Sequence, residues 1–103
     1  DAIVCGSDQI AVGVISRLHR RGHDVPGDVL VTGFDGSELA SVFWPTITTV
    51  VQPVSSIAAD AVSLLLGRVE GGDGATRRSL LAPTLQLGES TDRAASTRGH
   101  ELG

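Results

Sequence analysis

The sequence predicts an α/β fold, a parallel sheet with flanking helices, and two observations carry that prediction. The short continuous apolar runs Ala2-Ile3-Val4-Cys5 and Val29-Leu30-Val31-Thr32 are each closed by a glycine-containing turn. Between them Ile10, Ala11, Val14, Ile15 and Leu18 recur at helical spacing. Strands joined through a helix are expected to be parallel, buried on both faces and linked by a right-handed crossover.

The first run ends at Gly6-Ser7-Asp8, where Ser7 or Asp8 can cap the helix that follows. Arg17, Arg20 and Arg21 stand where cations favour the helix dipole, and Gly22 supplies the stop. His23 to Asp28, with Pro26 and Gly27, reads as a loop, and the second run closes at Gly33-Phe34-Asp35-Gly36. Leu39 to Trp44 suits a short helix that Pro45 ends, and the β-branched Thr46-Ile47-Thr48-Thr49-Val50-Val51 suits a third strand. Pro53 fits a helix start, after which Val54, Ile57, Ala58, Ala61, Leu64 and Leu65 form an apolar stripe. Gly67 or the connector Gly71-Gly72-Asp73-Gly74 ends that helix. Ser79-Leu80-Leu81-Ala82 and Thr84-Leu85-Gln86-Leu87 are two strand candidates split by Pro83. From about Thr91 onward no periodicity remains, and residues 91–103 are expected to be a disordered tail.

Composition narrows the function. The chain has 103 residues, enough for one small domain, and a formal charge of −4, whereas nucleic-acid binding usually needs surplus Lys and Arg. Direct DNA contact by these residues is not expected. No apolar run approaches the roughly 18 residues that span a bilayer, and no signal peptide is evident. The single Cys5 allows no internal disulfide, so a reducing compartment, the cytoplasm, is the expected location. The absence of Met, with Asp1 directly before a strand, suggests an excised piece of a longer chain.

In open α/β sheets ligands bind beyond the carboxyl ends of the strands. The turns there carry Ser7, Asp8 and Asp35, and carboxylates beside free helix N-terminal donors suit a polyhydroxylated ligand such as a sugar. Asp8 reads more readily as a helix-start residue and Ser7 as a turn serine, and Asp35-Gly36 equally well as an ordinary turn. Catalysis finds little support. Ser7 lacks a G-x-S-x-G elbow and a persuasive histidine partner, and an Asp8/Asp35 acid–base pair is matched by many non-catalytic polar clefts. His19 and His23 are four apart, but Gly22 interrupts the helix and no third ligand follows, so they read as solvated and no metal is expected. The glycine-rich connector lacks the Lys-Ser/Thr of a phosphate loop. No cofactor is implied. Phe34 reads as core or pocket wall, and Val42-Phe43-Trp44 as a subunit contact or, nearly as well, as burial within one subunit.

Taken together, Ile3-Val4-Cys5-Gly6-Ser7-Asp8, Val25-Pro26-Gly27-Asp28-Val29, Val31-Thr32-Gly33-Phe34-Asp35, Pro45 to Pro53 and Leu87-Gly88-Glu89-Ser90-Thr91 resemble the LacI/GalR family of repressors in order and spacing. The resemblance implies a type I periplasmic-binding-protein-like effector domain of two lobes, of which residues 1–90 are the C-terminal portion. Residues 1–49 would belong mostly to the C-terminal lobe, and residues 54–69 would cross to the N-terminal lobe. It further implies a sugar-like effector held by Asp35, with Ser7, Asp8, Phe34 and Val54 as further pocket residues. Ser7 departs from the asparagine that many relatives carry there. A homodimer through Val12, Val42, Phe43 and Trp44 is implied as well, with operator DNA bound only by an N-terminal headpiece outside this chain. The alternative is a transporter's sugar-binding protein of the same fold; the Thr48-to-Pro53 and Glu89-Ser90-Thr91 segments favour the repressors.

Overall fold

The computed structural model describes residues 1–72 and 78–94. Asp73, Gly74 and most of the expected tail lie outside the described residues. The chain divides into two compact units, one of Asp1–Val51 with the residues from Leu85 onward, the other of Gln52–Thr84.

In the first unit β1 (Ala2–Val4) leads into α1 (Asp8–Arg20), then β2 (Leu30–Thr32), α2 (Glu38–Val42) and β3 (Thr49–Val51). β1 and β2 pair in parallel with Ala2, Ile3 and Val4 opposite Leu30, Val31 and Thr32, which completes the βαβ unit. Parallel bridges Thr32↔Thr48 and Asp35↔Val51 carry the pairing on to β3. β3 also pairs with β4 (Thr84–Gln86). All three turns that follow the parallel strands therefore open at one end.

α1 starts where Ser7, in extended backbone, accepts a hydrogen bond from the Ile10 N–H at 3.1 Å. It stops at Gly22, whose φ of 82° lets its N–H reach His19 O while the His23 N–H reaches Leu18 O. That paired closure satisfies the last carbonyls, and only a residue tolerant of positive φ can make it cheaply. Asp8, Ala11 and Ile15 form the buried stripe of α1 and meet Cys5, Val25, Val31, Ala40 and Ile47 in the core. Ile10, grouped with the apolar set by its spacing, points off that stripe and is exposed.

Burial departs from expectation at β1. Its three residues are all exposed, because α1 packs over β2 and α2, and β1 has no second strand partner among the described residues. Phe34 also departs. Val31 and Gly33 are buried, so the period-2 alternation of extended backbone turns Phe34 the other way, and it is exposed. The expected strand over Ser79–Ala82 does not form: no ladder partner reaches it among the described residues, and Leu80 is exposed.

Thr91, where the sequence places the start of a tail, is structured. Glu89–Thr91 makes a 3₁₀ turn, η1, that packs on β2, with Ser90 fully buried. The Ser90 hydroxyl donates to Val31 O at 2.6 Å and accepts from the Thr48 N–H at 2.9 Å. Thr46, Thr48, Glu89 and Thr91 surround it with further hydrogen bonds.

In the second unit α3 (Val54–Val69) carries the predicted apolar stripe, yet none of its residues is buried. Ile57, Ala61 and Leu64 line a shallow apolar cleft with Leu80 and Leu81, and the Ser79 hydroxyl donates to the Asp60 carboxylate.

Because the Ser90 hydroxyl serves two buried backbone groups, Val31 O of β2 and the Thr48 N–H just before β3, Ser90→Ala is expected to destabilise the full-length protein by about 2–4 kcal/mol. Urea unfolding checks this, and a change under ~0.5 kcal/mol would show that the hydroxyl is dispensable.

Candidate functional site

A cleft of about 250 Å³ opens at the carboxyl ends of the parallel strands, lined by Ser7, Asp8, Gln9, Asp35, Ser37 and Leu39. Three of its six lining residues, Ser7, Asp8 and Asp35, are those that strand-end reasoning brings together. Gln9 sits in the first turn of α1, and Ser37 directly precedes α2.

Asp8 is 1% exposed although charged. Its Oδ2 accepts from both the backbone N–H and the hydroxyl of Ser37, each at 2.7 Å, and its Oδ1 accepts from the Thr49 hydroxyl at 2.7 Å. Burial pushes its pKa up, and the hydrogen bonds from Thr49 and Ser37, with the Phe34 backbone, outweigh this and hold the carboxyl below its ordinary value. Asp8 therefore lines the cleft with its carboxylate committed to partners inside the fold.

Asp35 has φ 111°, the one described non-glycine residue in that region. Such backbone costs on the order of 1–3 kcal/mol and persists where its surroundings over-determine it. The Asp35 N–H donates to Val50 O at 3.0 Å, and the Gly36 N–H donates to Thr49 Oγ1 at 3.1 Å. Gly36, at φ 68°, lies so near β3 that a Cβ there would stand 2.7 Å from the Val51 Cα. The turn is therefore pressed against β3 and exposes Asp35 beside the cleft.

The remaining predicted site residues are placed differently. Phe34 is exposed and is not among the cleft's lining residues. Val54 belongs to the second unit and is exposed. Of the four residues assigned to a subunit contact, Val12 and Phe43 pack on the core of their own unit. Val12 flanks the Ala11–Ile15 stripe of α1, and Phe43 follows the buried Ala40 by three residues. Val42 and Trp44 are exposed, at 70% and 69%. His19 is not simply solvated: its ring lies 6.0 Å from that of Trp44, and its Nε2 is buried without a hydrogen-bond partner. Among the described residues no group of three or more His, Cys, Asp or Glu could hold a metal. Ser37 and Thr49 escaped sequence reasoning because nothing in a lone Ser or Thr marks it as the partner of a carboxylate 29 or 41 positions away.

Residues 1–91 match the model of the periplasmic binding protein-like domain family. The LacI-type transcription regulator from Bifidobacterium animalis subsp. lactis superposes with a TM-score of 0.81 at 40% identity, over 87% of this chain and 32% of that one. The chain belongs to the periplasmic-binding-protein-like family and, within it, to the LacI-type regulators. Among curated relatives, the HTH-type transcriptional regulator MalR of Streptomyces coelicolor is 39% identical over 95% of this chain and 28% of its own length. A transcriptional regulator CelR–cellobiose complex superposes with a TM-score of 0.84 at 32% identity, over 87% of this chain and 28% of the other. The chain thus spans about a third or less of the regulators it matches.

The lowered pKa of Asp8 fixes a sign. A carboxyl depressed in the folded state stabilises the fold fully above the unfolded value, near 3.8, and loses that contribution as pH falls through the lower folded value. Acid titration of the full-length protein by circular dichroism is expected to show stability falling below about pH 4. Asp8→Asn should be less stable at pH 7 and should lose less on acidification; parallel acid limbs would remove Asp8 as a source.

Proposed function

We propose that this chain is the ligand-sensing and dimerisation part of a bacterial transcriptional regulator, a repressor, whose effector is a sugar or similar polyhydroxylated molecule. The observation that carries the reading is the polar cleft in which Asp35, held at a backbone angle few residues adopt, stands with Ser7, Gln9 and Ser37. A carboxylate accepting from ligand hydroxyls, next to side chains that both donate and accept, matches the alternating hydroxyls of a sugar. Phe34 and Val54 remain candidates for the apolar wall. At about 250 Å³ the cleft is below the roughly 300–1,000 Å³ of a complete small-molecule site, which fits a half-site completed elsewhere in the full-length protein.

Effector binding would bias two arrangements of the full-length protein and so alter operator affinity, with DNA contacted by a headpiece outside this chain. The net charge of −4 agrees with that division of labour. The relatives are transcriptional regulators, not enzymes, and the reading needs no catalytic residue or cofactor. A regulator acts where the DNA is, in the cytoplasm; no described helix is long and apolar enough to cross a membrane. The relatives named above are regulators, which favours this reading over a transporter's sugar-binding protein of the same fold.

In the full-length protein, Asp35→Ala is expected to weaken sugar binding by about 1–3 kcal/mol through loss of charge-assisted hydrogen bonds. Calorimetry with cellobiose checks this, and unchanged affinity would sink the assignment of Asp35.

The exposed Val42 and Trp44 form the subunit contact of this reading, and Trp44→Ala is expected to weaken a homodimer by about 2 kcal/mol or more. Sedimentation equilibrium of the full-length protein measures it; an unchanged dimer constant places the contact elsewhere.

A further inference from the structure

Three successive backbone N–H groups at the cleft are each tied to a different acceptor. That of Asp35 donates to Val50 O at 3.0 Å, that of Gly36 to Thr49 Oγ1 at 3.1 Å, and that of Ser37 to Asp8 Oδ2 at 2.7 Å. Two of these tethers converge on one carboxylate, because the hydroxyl that accepts from Gly36 donates its own proton to Asp8 Oδ1 at 2.7 Å.

A threonine hydroxyl has a single proton, so the order of donation is fixed. With its proton on Asp8, Thr49 keeps a lone pair for the Gly36 N–H. The Ser37 hydroxyl, also on Asp8 Oδ2, holds the far side of the turn. An Asp8 amide with its oxygen turned to Ser37 would leave an N–H facing Thr49, whose hydroxyl would then lose the acceptor that fixes its proton. The arrangement spans α1, β3 and the turn after β2, and the residue it encloses is the one at φ 111°.

We infer that Asp8 and Thr49 are positioning residues for effector recognition: through Thr49 and Ser37, Asp8 clamps the Asp35–Ser37 turn in the backbone conformation that presents Asp35 to the cleft. This rests on the proposed reading of the cleft as the effector site. Neither residue need touch the ligand. The carboxylate of Asp8 is 1% exposed and accepts from three donors, and Thr49 is 1% exposed. Both act through Asp35, so their removal should change affinity only while Asp35 is there to be placed.

Two measurements on the full-length protein test this. In hydrogen exchange read by mass spectrometry, Thr49→Val should speed exchange of the peptide covering residues 34–39 about tenfold or more, while the peptides of β1 and β2 keep wild-type rates. Thr49→Ser, which retains the hydroxyl, should restore protection. Wild-type exchange over residues 34–39 in Thr49→Val, or acceleration shared equally by β1 and β2, overturns the inference. In calorimetry with cellobiose as probe, Asp8→Ala, which removes the acceptor of both Ser37 and Thr49, should weaken binding about tenfold beside Asp35 and less than about twofold in an Asp35→Asn background. Equal losses in both backgrounds overturn the positioning role. Wild-type cellobiose affinity in Asp35→Asn overturns instead the effector reading of the cleft, and the exchange result then decides the clamp by itself.

Discussion

A carboxylate that is 1% exposed imposes conditions on everything around it, and in this protein that carboxylate is Asp8. An ionised group taken out of water costs several kcal/mol unless its lone pairs are met by donors. Here they are met by Ser37 and Thr49, which come from the approach to α2 and from β3. No cation is needed, since hydrogen bonds to the charged form suffice to hold the proton off. The consequence is architectural. The start of α1, the turn after β2 and the third strand cannot move independently without leaving a buried charge short of a partner.

A second polar knot holds Thr48, the residue just before β3, as Asp8 holds Thr49 at its start. Ser90, fully buried, joins Val31 of β2 to Thr48, and Thr46 and Glu89 bind each other through both backbone and side chain. The returning segment is thereby fixed to the first unit although it carries little hydrophobic pattern of its own. The apolar core between these knots is small, and its largest fully buried side chains are Ile15 and Ile47. Polar satisfaction thus has an unusually large share in setting the geometry of this unit.

The second unit shows the reverse balance. α3 has the apolar stripe of a packed helix, but none of its residues is buried, and Leu80, which read as a strand residue, is 95% exposed. A stripe states what a helix can bury and is silent on whether a partner surface exists. The same distinction explains β1: its apolar residues suit a two-sided burial that needs a cover on both faces, and α1 covers β2 instead.

What the amino-acid order determined by itself was everything governed by neighbours a few residues apart. The βαβ unit followed from two apolar runs around a 3.6-residue period, a cap at Ser7 or Asp8 and the stop at Gly22 from local backbone chemistry, and the grouping of Ser7, Asp8 and Asp35 from the rule that turns after parallel strands share one edge. What only the tertiary structure decided depends on pairs far apart in the chain. It committed Asp8 to Ser37 and Thr49, turned Phe34 outward, packed Val12 and Phe43 on their own core, buried Ser90, and gave Asp35 a φ of 111°. Burial, strain and hydrogen-bond partnership are properties of which surfaces meet, and composition and spacing along a strand or helix carry no record of that meeting.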